Sequence, residues 1–399
     1  MFVFTRRRAY LLMIMVALKV GLSIYAVWSP SFIYLISSFF ALKNRIHPIP
    51  YVWLVEAAYC VWLLLPFRRV DLTSWYAGGR VFPWGPSSAA LIFLWKLPVL
   101  ASSLLVGWLI HARFKERASL PLFAWLLNPL VILNGEMAGN YDMIVAALVF
   151  MSVLFLNEKR YSVAAGLYAV SVALKLYPLI LLPVYLSYGG GSRRRLAISG
   201  LASFSGAGLY VYWASYYARD FMVSFMLPSG NPFVFHPAEV LLTPYDSRIG
   251  LAVAFSLLYA FILHLLGFKD ALKASLGVIL LYSAFSDLNP TYLLCALPLM
   301  TVDSISGGRS RLYAAYTAVA FILQVFTFPL TYKGSFFFIK ASWVKALSEG
   351  LNALNKEVLR GGGLGLVLTP ALTAIFIALS LAYVMSMHTL QPRRLHNTR

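Results

Sequence analysis

Apolar residues run through this chain in long continuous blocks, without the alternation of a half-buried strand. The blocks fall at 9–28, 30–42, 49–66, 88–110, 118–135, 141–156, 160–175, 177–189, 196–217, 248–267, 271–286, 290–304, 311–329 and 362–387. A helix needs about 20 apolar residues to cross the hydrocarbon core, so the longer blocks read as spans. Blocks 30–42, 177–189 and 290–304 are short enough to be half-helices, which puts the number of spans at about 10 to 14. The expected fold class is all-α: a polytopic transmembrane helical bundle, with residues 1–399 forming a single integral-membrane domain. Continuous runs argue against a membrane barrel, whose strands alternate.

Composition supports this pattern. Hydrophobic residues make up 60% of the 399 and charged residues 12%, with mean hydropathy +0.76. Soluble domains hold about 45–50% apolar and about 25% charged residues, so the excess has no soluble core to enter. Net charge is +19. In a soluble chain that would suggest nucleic acid, but here the basic residues cluster in the short breaks between apolar blocks, and no nucleic-acid partner is expected.

Arg6–Arg8, Lys43 with Arg45, Arg113 to Arg117, Lys159 with Arg160, Arg193–Arg195, Lys269 with Lys273, Arg309 with Arg311 and the tail from Arg393 all fall on one side of an alternating topology. The positive-inside bias makes that side cytoplasmic, together with both termini. The first block is long for a signal peptide and reads as an uncleaved span. The longer connections, 67–87, 218–247 and 330–361, then lie outside, as do most of the acids. Chemistry is expected there, at the external face of a cell membrane. In 330–361 the spacing of Trp343, Leu347, Leu351, Leu354 and Val358 makes one apolar stripe, which predicts a helix in the outer interface or a cap over the bundle. Cys60 and Cys295 sit in apolar blocks and read as buried small hydrophobes.

Ionised groups in such segments cost roughly 2.5–3.5 kcal/mol each on insertion scales, so each invites a reason. Asp71 opens Asp71-Leu-Thr-Ser-Trp75-Tyr76-Ala-Gly78-Gly79-Arg80 in an external loop. It is a candidate general base beside aromatics that can stack on a sugar; otherwise it pairs with Arg68 or Arg69, or caps a helix. Asp142 starts an apolar block, and its plain alternative is a helix N-cap. Glu136 lies six residues earlier, and two acids this close can divide acid and base roles or simply be solvated. Lys175 precedes Tyr177-Pro178 at an external block end, as a phosphate contact or as a lysine snorkelling to the interface. Asp287-Leu-Asn-Pro290-Thr-Tyr292 joins two blocks, with helix caps as its alternative role. His236 lies in an external loop. Glu56 is mid-span, with Lys19 or Lys96 as candidate partners or a cavity for it to face.

Taken in order, Asn128-Pro129, Gly139-Asn140-Tyr141-Asp142, the run from Ala164 to Lys175-Leu-Tyr-Pro178, and Asp287-Leu-Asn-Pro290-Thr-Tyr292 onward to Pro298 resemble the GT-C superfamily of integral-membrane glycosyltransferases. The nearest likeness is to the polyprenyl-phosphate-sugar-dependent mannosyltransferases, including the archaeal and GPI types. It covers roughly 60–310, which makes that stretch the expected catalytic core. The resemblance implies a catalytic acid in the first external loop, matched by Asp71, although Asp71 follows the third apolar block here. It also implies Asp142 as a second acid or acceptor positioner, with Lys175 and Arg80 at the phosphate. Glu136, Tyr76, Asp287, Tyr292 and His236 are further substrate-binding candidates.

The implied partners are a polyprenyl-phosphate-linked hexose, mannose by likeness, a lipid or glycan acceptor, and the membrane lipids themselves. The implied transfer is inverting. No metal-binding motif is visible and no cofactor is expected, although a divalent ion between Asp71 and Asp142 is compatible with the pattern. The alternative is a transporter or lipid flippase, for which the mid-span charges Lys19, Glu56 and Lys96 are the best support.

Overall fold

The structure, a computed structural model, describes residues 6–25, 49–66, 86–114, 119–188, 200–209, 270–285, 293–327 and 363–389, with single helical residues at 198, 212, 350 and 353. Every described element is helical, as the apolar blocks predict. In chain order they are α1 (Arg6–Tyr25), α2 (Ile49–Leu64), α3 (Pro86–Phe114), α4 (Ser119–Leu126), the single turn α5 (Pro129–Val131), a π-helical turn (Ile132–Met137), α6 (Asp142–Asn157), α7 (Tyr161–Leu174), a 3₁₀ turn (Tyr177–Leu181), α8 (Leu182–Tyr188), α9 (Ala271–Phe285), α10 (Leu293–Ser306), α11 (Ser310–Thr327) and α12 (Gly363–Thr389). Blocks 30–42 and 248–267 and, apart from residues 350 and 353, the interfacial helix of 330–361 lie outside the described residues.

Among the described residues three stretches are long and apolar enough to cross a bilayer: Pro86–Phe114, Leu120–Met137 and Pro370–Met387. The other apolar helices are shorter. At 1.5 Å per residue, α6 and α7 reach roughly 24 and 21 Å, short of a hydrocarbon core of about 30 Å. The polarity of the packing is that of a membrane protein. Leu64, Leu120, Phe204 and Val367 stand well exposed, while Lys19, Lys96, Glu136, Asp142, Asp303 and Arg309 are buried. Cys295 is buried as expected, but Cys60 is exposed, on a face of α2 that also presents Val61 and Leu64.

The helices gather into two compact units. The first holds the described residues up to Ala147; the second holds Leu148–Ala207 and the helices from α9 onward. In the first unit α3 is the organising helix, packing against α1, α2, α4 and the π-turn. Trp95 on α3 donates to the Val55 carbonyl of α2 at 3.1 Å, and Trp62 on α2 returns a bond to the Ser87 carbonyl at 3.0 Å. Trp125 on α4 donates to the Ser103 carbonyl at 2.9 Å. Each indole thus spends its single donor on a backbone carbonyl, which satisfies it in the interior.

In the second unit α9 packs on α10, α12, α8 and the 3₁₀ turn, and α11 packs on α12. Asp303 on α10 takes a two-pronged bond from Arg309, Nε to Oδ2 at 2.7 Å and Nη2 to Oδ1 at 2.6 Å. A third donor, Nη1, reaches the Ser386 carbonyl of α12 at 3.2 Å. Burial works to lower the Arg309 pKa, but the hydrogen bonds and charge of Asp303 outweigh it and hold the guanidinium above its ordinary value. Gly307 leaves room for this clamp, since a Cβ there would run into the guanidinium.

Candidate active site

The block expected at 118–135 is interrupted, and the interruption builds the site. The α4 helix ends at Leu126 and the chain restarts at Asn128-Pro129. Asn128 Oδ1 accepts the N–H groups of Leu130 at 2.9 Å and Val131 at 3.4 Å. Pro129 stands at the first helical position, where its missing donor costs nothing. The Asn-Pro pair is therefore a helix start inside a membrane segment.

The restarted helix widens at once into the π-turn. The Ala138 N–H bonds the Leu133 carbonyl at 2.9 Å, five residues back, and the Asn140 N–H reaches the Asn134 carbonyl at 3.2 Å. Widening leaves the carbonyls of Glu136 and Met137 short of donors, because the chain turns away before the next N–H groups arrive. Lys96 of α3 supplies the missing donors. Its ammonium bonds the Glu136 carbonyl at 2.9 Å and the Met137 carbonyl at 2.7 Å.

Next comes Gly139, with φ of +63°. The left-handed conformation favours glycine, and so does the space. A Cβ at this position would lie 2.9 Å from both Cγ and Cε of Lys96. The lysine stem thus runs against the turn while its head holds the carbonyls that precede it.

Asn140 Oδ1 accepts the Asp142 N–H at 2.9 Å, which starts α6. Tyr141 is buried, and its hydroxyl donates to the Trp95 carbonyl at 2.9 Å. Adjacent residues of α3, Trp95 and Lys96, therefore grip the turn on both sides of Asn140. Asp142 is buried at the mouth of α6, where the helix dipole favours a negative charge.

Glu136 is also fully buried. Its Oε1 meets Lys19 of α1 at 2.6 Å, and Lys19 also donates to Ser103 Oγ at 3.2 Å. Of the two alternatives for Glu56, the pairing with Lys19 or Lys96 gives way to this arrangement: both lysines converge on the segment around Glu136. Sequence reading noticed these lysines as costly charges but missed their destination. Sequence spacings of 117 between Lys19 and Glu136, and 40 between Lys96 and Glu136, carry no local signal.

Lys175 belongs to the second unit. It ends α7 in an extended conformation, φ −157° and ψ 135°, so the side chain leaves at a break between helices. Its ammonium stands 6.0 Å from the ring centre of Tyr177, and the Tyr177 hydroxyl meets Cys295 Sγ of α10 at 2.8 Å. Tyr168 of α7 stacks on Tyr185 of α8 at 4.1 Å between centroids, which fixes the two helices flanking the break.

Of the residues expected at the site, Glu136 and Asp142 thus share one turn of the first unit, and Lys175 sits at a break in the second. Asp71, Tyr76, Arg80, His236, Asp287 and Tyr292 lie outside the described residues. Among the described residues no group of three or more His, Cys, Asp or Glu side chains gathers at metal-binding distance. Both breaks place irregular backbone inside apolar sequence, an arrangement membrane proteins tolerate where the backbone is buried in protein or lines a cavity.

The family described as "Mannosyltransferase (PIG-M)" matches residues 136–205. That stretch contains Glu136, the Gly139–Asp142 turn and Lys175. The chain is similar to GPI mannosyltransferase 1 of Saccharomyces cerevisiae, 27% identical over 171 residues that make 39% of this chain and 41% of the yeast protein. It is similar to the protein of the same name from Dictyostelium discoideum, 35% identical over 106 residues, 25% of this chain and 23% of the relative. A third likeness, to GPI mannosyltransferase 1 of Eremothecium gossypii, is 26% over 129 residues, 30% of this chain and 32% of the relative. The chain thus spans about two-fifths or less of the length of the curated relatives it matches. No solved structure matches. Over the matched stretches the resemblance to GT-C glycosyltransferases is borne out.

Proposed function

We propose that this chain is a membrane mannosyltransferase that moves mannose from a polyprenyl-phosphate carrier to a glycolipid acceptor of the kind the relatives' name gives. The observation that carries the reading is the family match over 136–205, since it falls on the two helix breaks that present Asp142 and Lys175. The transporter alternative loses two of its three supports, because Lys19 and Lys96 bond to the segment around Glu136.

The chemistry follows from the donor. A sugar on a prenyl phosphate carries its own leaving group, so the enzyme must deprotonate an acceptor hydroxyl and receive a phosphate. A carboxylate takes the hydroxyl proton, with Asp71 as the base and Asp142 positioning the acceptor. The new bond forms from the acceptor oxygen to C1 of the sugar as the C1–O bond to phosphate breaks, with inversion at C1. The polyprenyl phosphate leaves with its negative charge against Lys175 and Arg80. General base catalysis contributes about 10²–10⁴-fold, and preorganised cations contribute the electrostatic part. We place this site on the external face, with both termini in the cytoplasm and the prenyl tail between helices. The reading calls for no cofactor; a divalent ion between Asp71 and Asp142 would reveal itself as loss of transfer on chelation.

The test is mannosyl transfer from labelled polyprenyl-phosphate mannose in membranes bearing the wild type, Asp142→Asn or Lys175→Met. We expect each variant to lose about 100-fold or more of the rate, in line with removal of a positioning or charge-stabilising group. Wild-type rates in both variants would refute the assigned roles.

A further inference from the structure

The mechanism above uses Asp142 and is silent on what fixes its position. We infer that Lys96 is a positioning residue for the Asp142 turn. The inference rests on the functional reading for its catalytic consequence, and on geometry alone for the hold itself.

Three observations converge on Lys96. Its ammonium bonds two successive carbonyls, those of Glu136 at 2.9 Å and Met137 at 2.7 Å, where the π-turn ends. Its stem fills the place where a Cβ of residue 139 would be, with Cγ and Cε each 2.9 Å from that point. Its neighbour Trp95 accepts the Tyr141 hydroxyl, so the same turn of α3 holds the chain after Gly139 as well as before it. The N–H groups of Ala138, Gly139 and Asn140 bond back to the carbonyls of Leu133, Gly135 and Asn134, and the two grips from α3 add tertiary contacts to that local ladder. Pro98 removes the N–H that would bond the Leu94 carbonyl and loosens the α3 ladder here.

A buried lysine in an apolar helix is costly, and an ion pair with Glu136 would be the obvious reason for it. Lys96 instead aims its ammonium at main-chain oxygens, while Lys19 takes the Glu136 carboxylate. Carbonyls fix backbone position more tightly than a carboxylate on three rotatable bonds. Lys96 also lies outside the stretch that matches the family, so the hold on the matched turn comes from elsewhere in the chain.

The test is a double-mutant cycle on mannosyl transfer with hydrogen exchange as a second readout. Lys96→Met keeps the stem and removes the donors. We expect kcat to fall about 100-fold, the cost of an ångström-scale misplacement, with the donor KM within about twofold of wild type. Lys96→Met/Asp142→Asn should be no slower than Asp142→Asn by more than about twofold, since Lys96 acts through Asp142. Amides 139–142 should exchange faster in Lys96→Met. Gly139→Ala, which leaves the charge in place and displaces the stem, should lower kcat in the same manner and covers the case in which Lys96→Met does not fold. Multiplying effects in the cycle, or unchanged exchange at 139–142 in the variants, would overturn the inference. Full activity of Asp142→Asn beside faster exchange in Lys96→Met would instead remove the role of Asp142 and leave the hold standing.

Discussion

Lys19 and Glu136 form a buried ion pair in the first unit, with side chains that are 1% and 0% exposed. Removing one member of such a pair strands the other charge, at about 3–5 kcal/mol, whereas replacing both with uncharged groups is often neutral. Lys19→Met is therefore expected to lower the thermal midpoint in detergent sharply, and Lys19→Met/Glu136→Gln to recover most of the loss. Equal destabilisation in the single and double variants would contradict the pairing. The sequence showed each charge as an expense but not where it goes. Asp142 was legible as a helix start, and the structure adds that Asn140 meets one of the orphan donors there.

The helices themselves follow the apolar blocks to within a few residues, because a block of about 20 apolar residues has few alternatives in lipid. The breaks were legible only in part. Asn128-Pro129 and Lys175-Leu-Tyr-Pro178 announce themselves by proline, whereas the π-turn after Val131 does not. One extra residue per turn changes no apolar residue to polar, so hydropathy cannot report it. The clamp between α10 and α12 was equally silent, since Asp303 and Arg309 look like ordinary ends of a turn. Its geometry predicts that Arg309→Met strands Asp303 and costs about 3–5 kcal/mol. Arg309→Lys should fail to restore stability, because an ammonium cannot give the two parallel bonds of the fork. Unfolding followed by far-ultraviolet circular dichroism would check both variants; a fully stable Arg309→Lys would argue against the fork.

At the scale of the molecule, charge inside and apolar surface outside mark a membrane bundle, and that much was written in the composition. Function was legible as an order of motifs, from Asn128-Pro129 through Asp142 to Lys175, and the family match over 136–205 covers the stretch that holds Asp142 and Lys175. Geometry added what spacing could not, the convergence of α1 and α3 on one turn. Transfer from a lipid-phosphate sugar is tested with purified protein in liposomes carrying labelled polyprenyl-phosphate mannose and a glycolipid acceptor. Label is expected to pass to the acceptor with inversion at C1, with one polyprenyl phosphate released for each mannose moved. Label that stays on the prenyl carrier, or that moves with retention at C1, would contradict this.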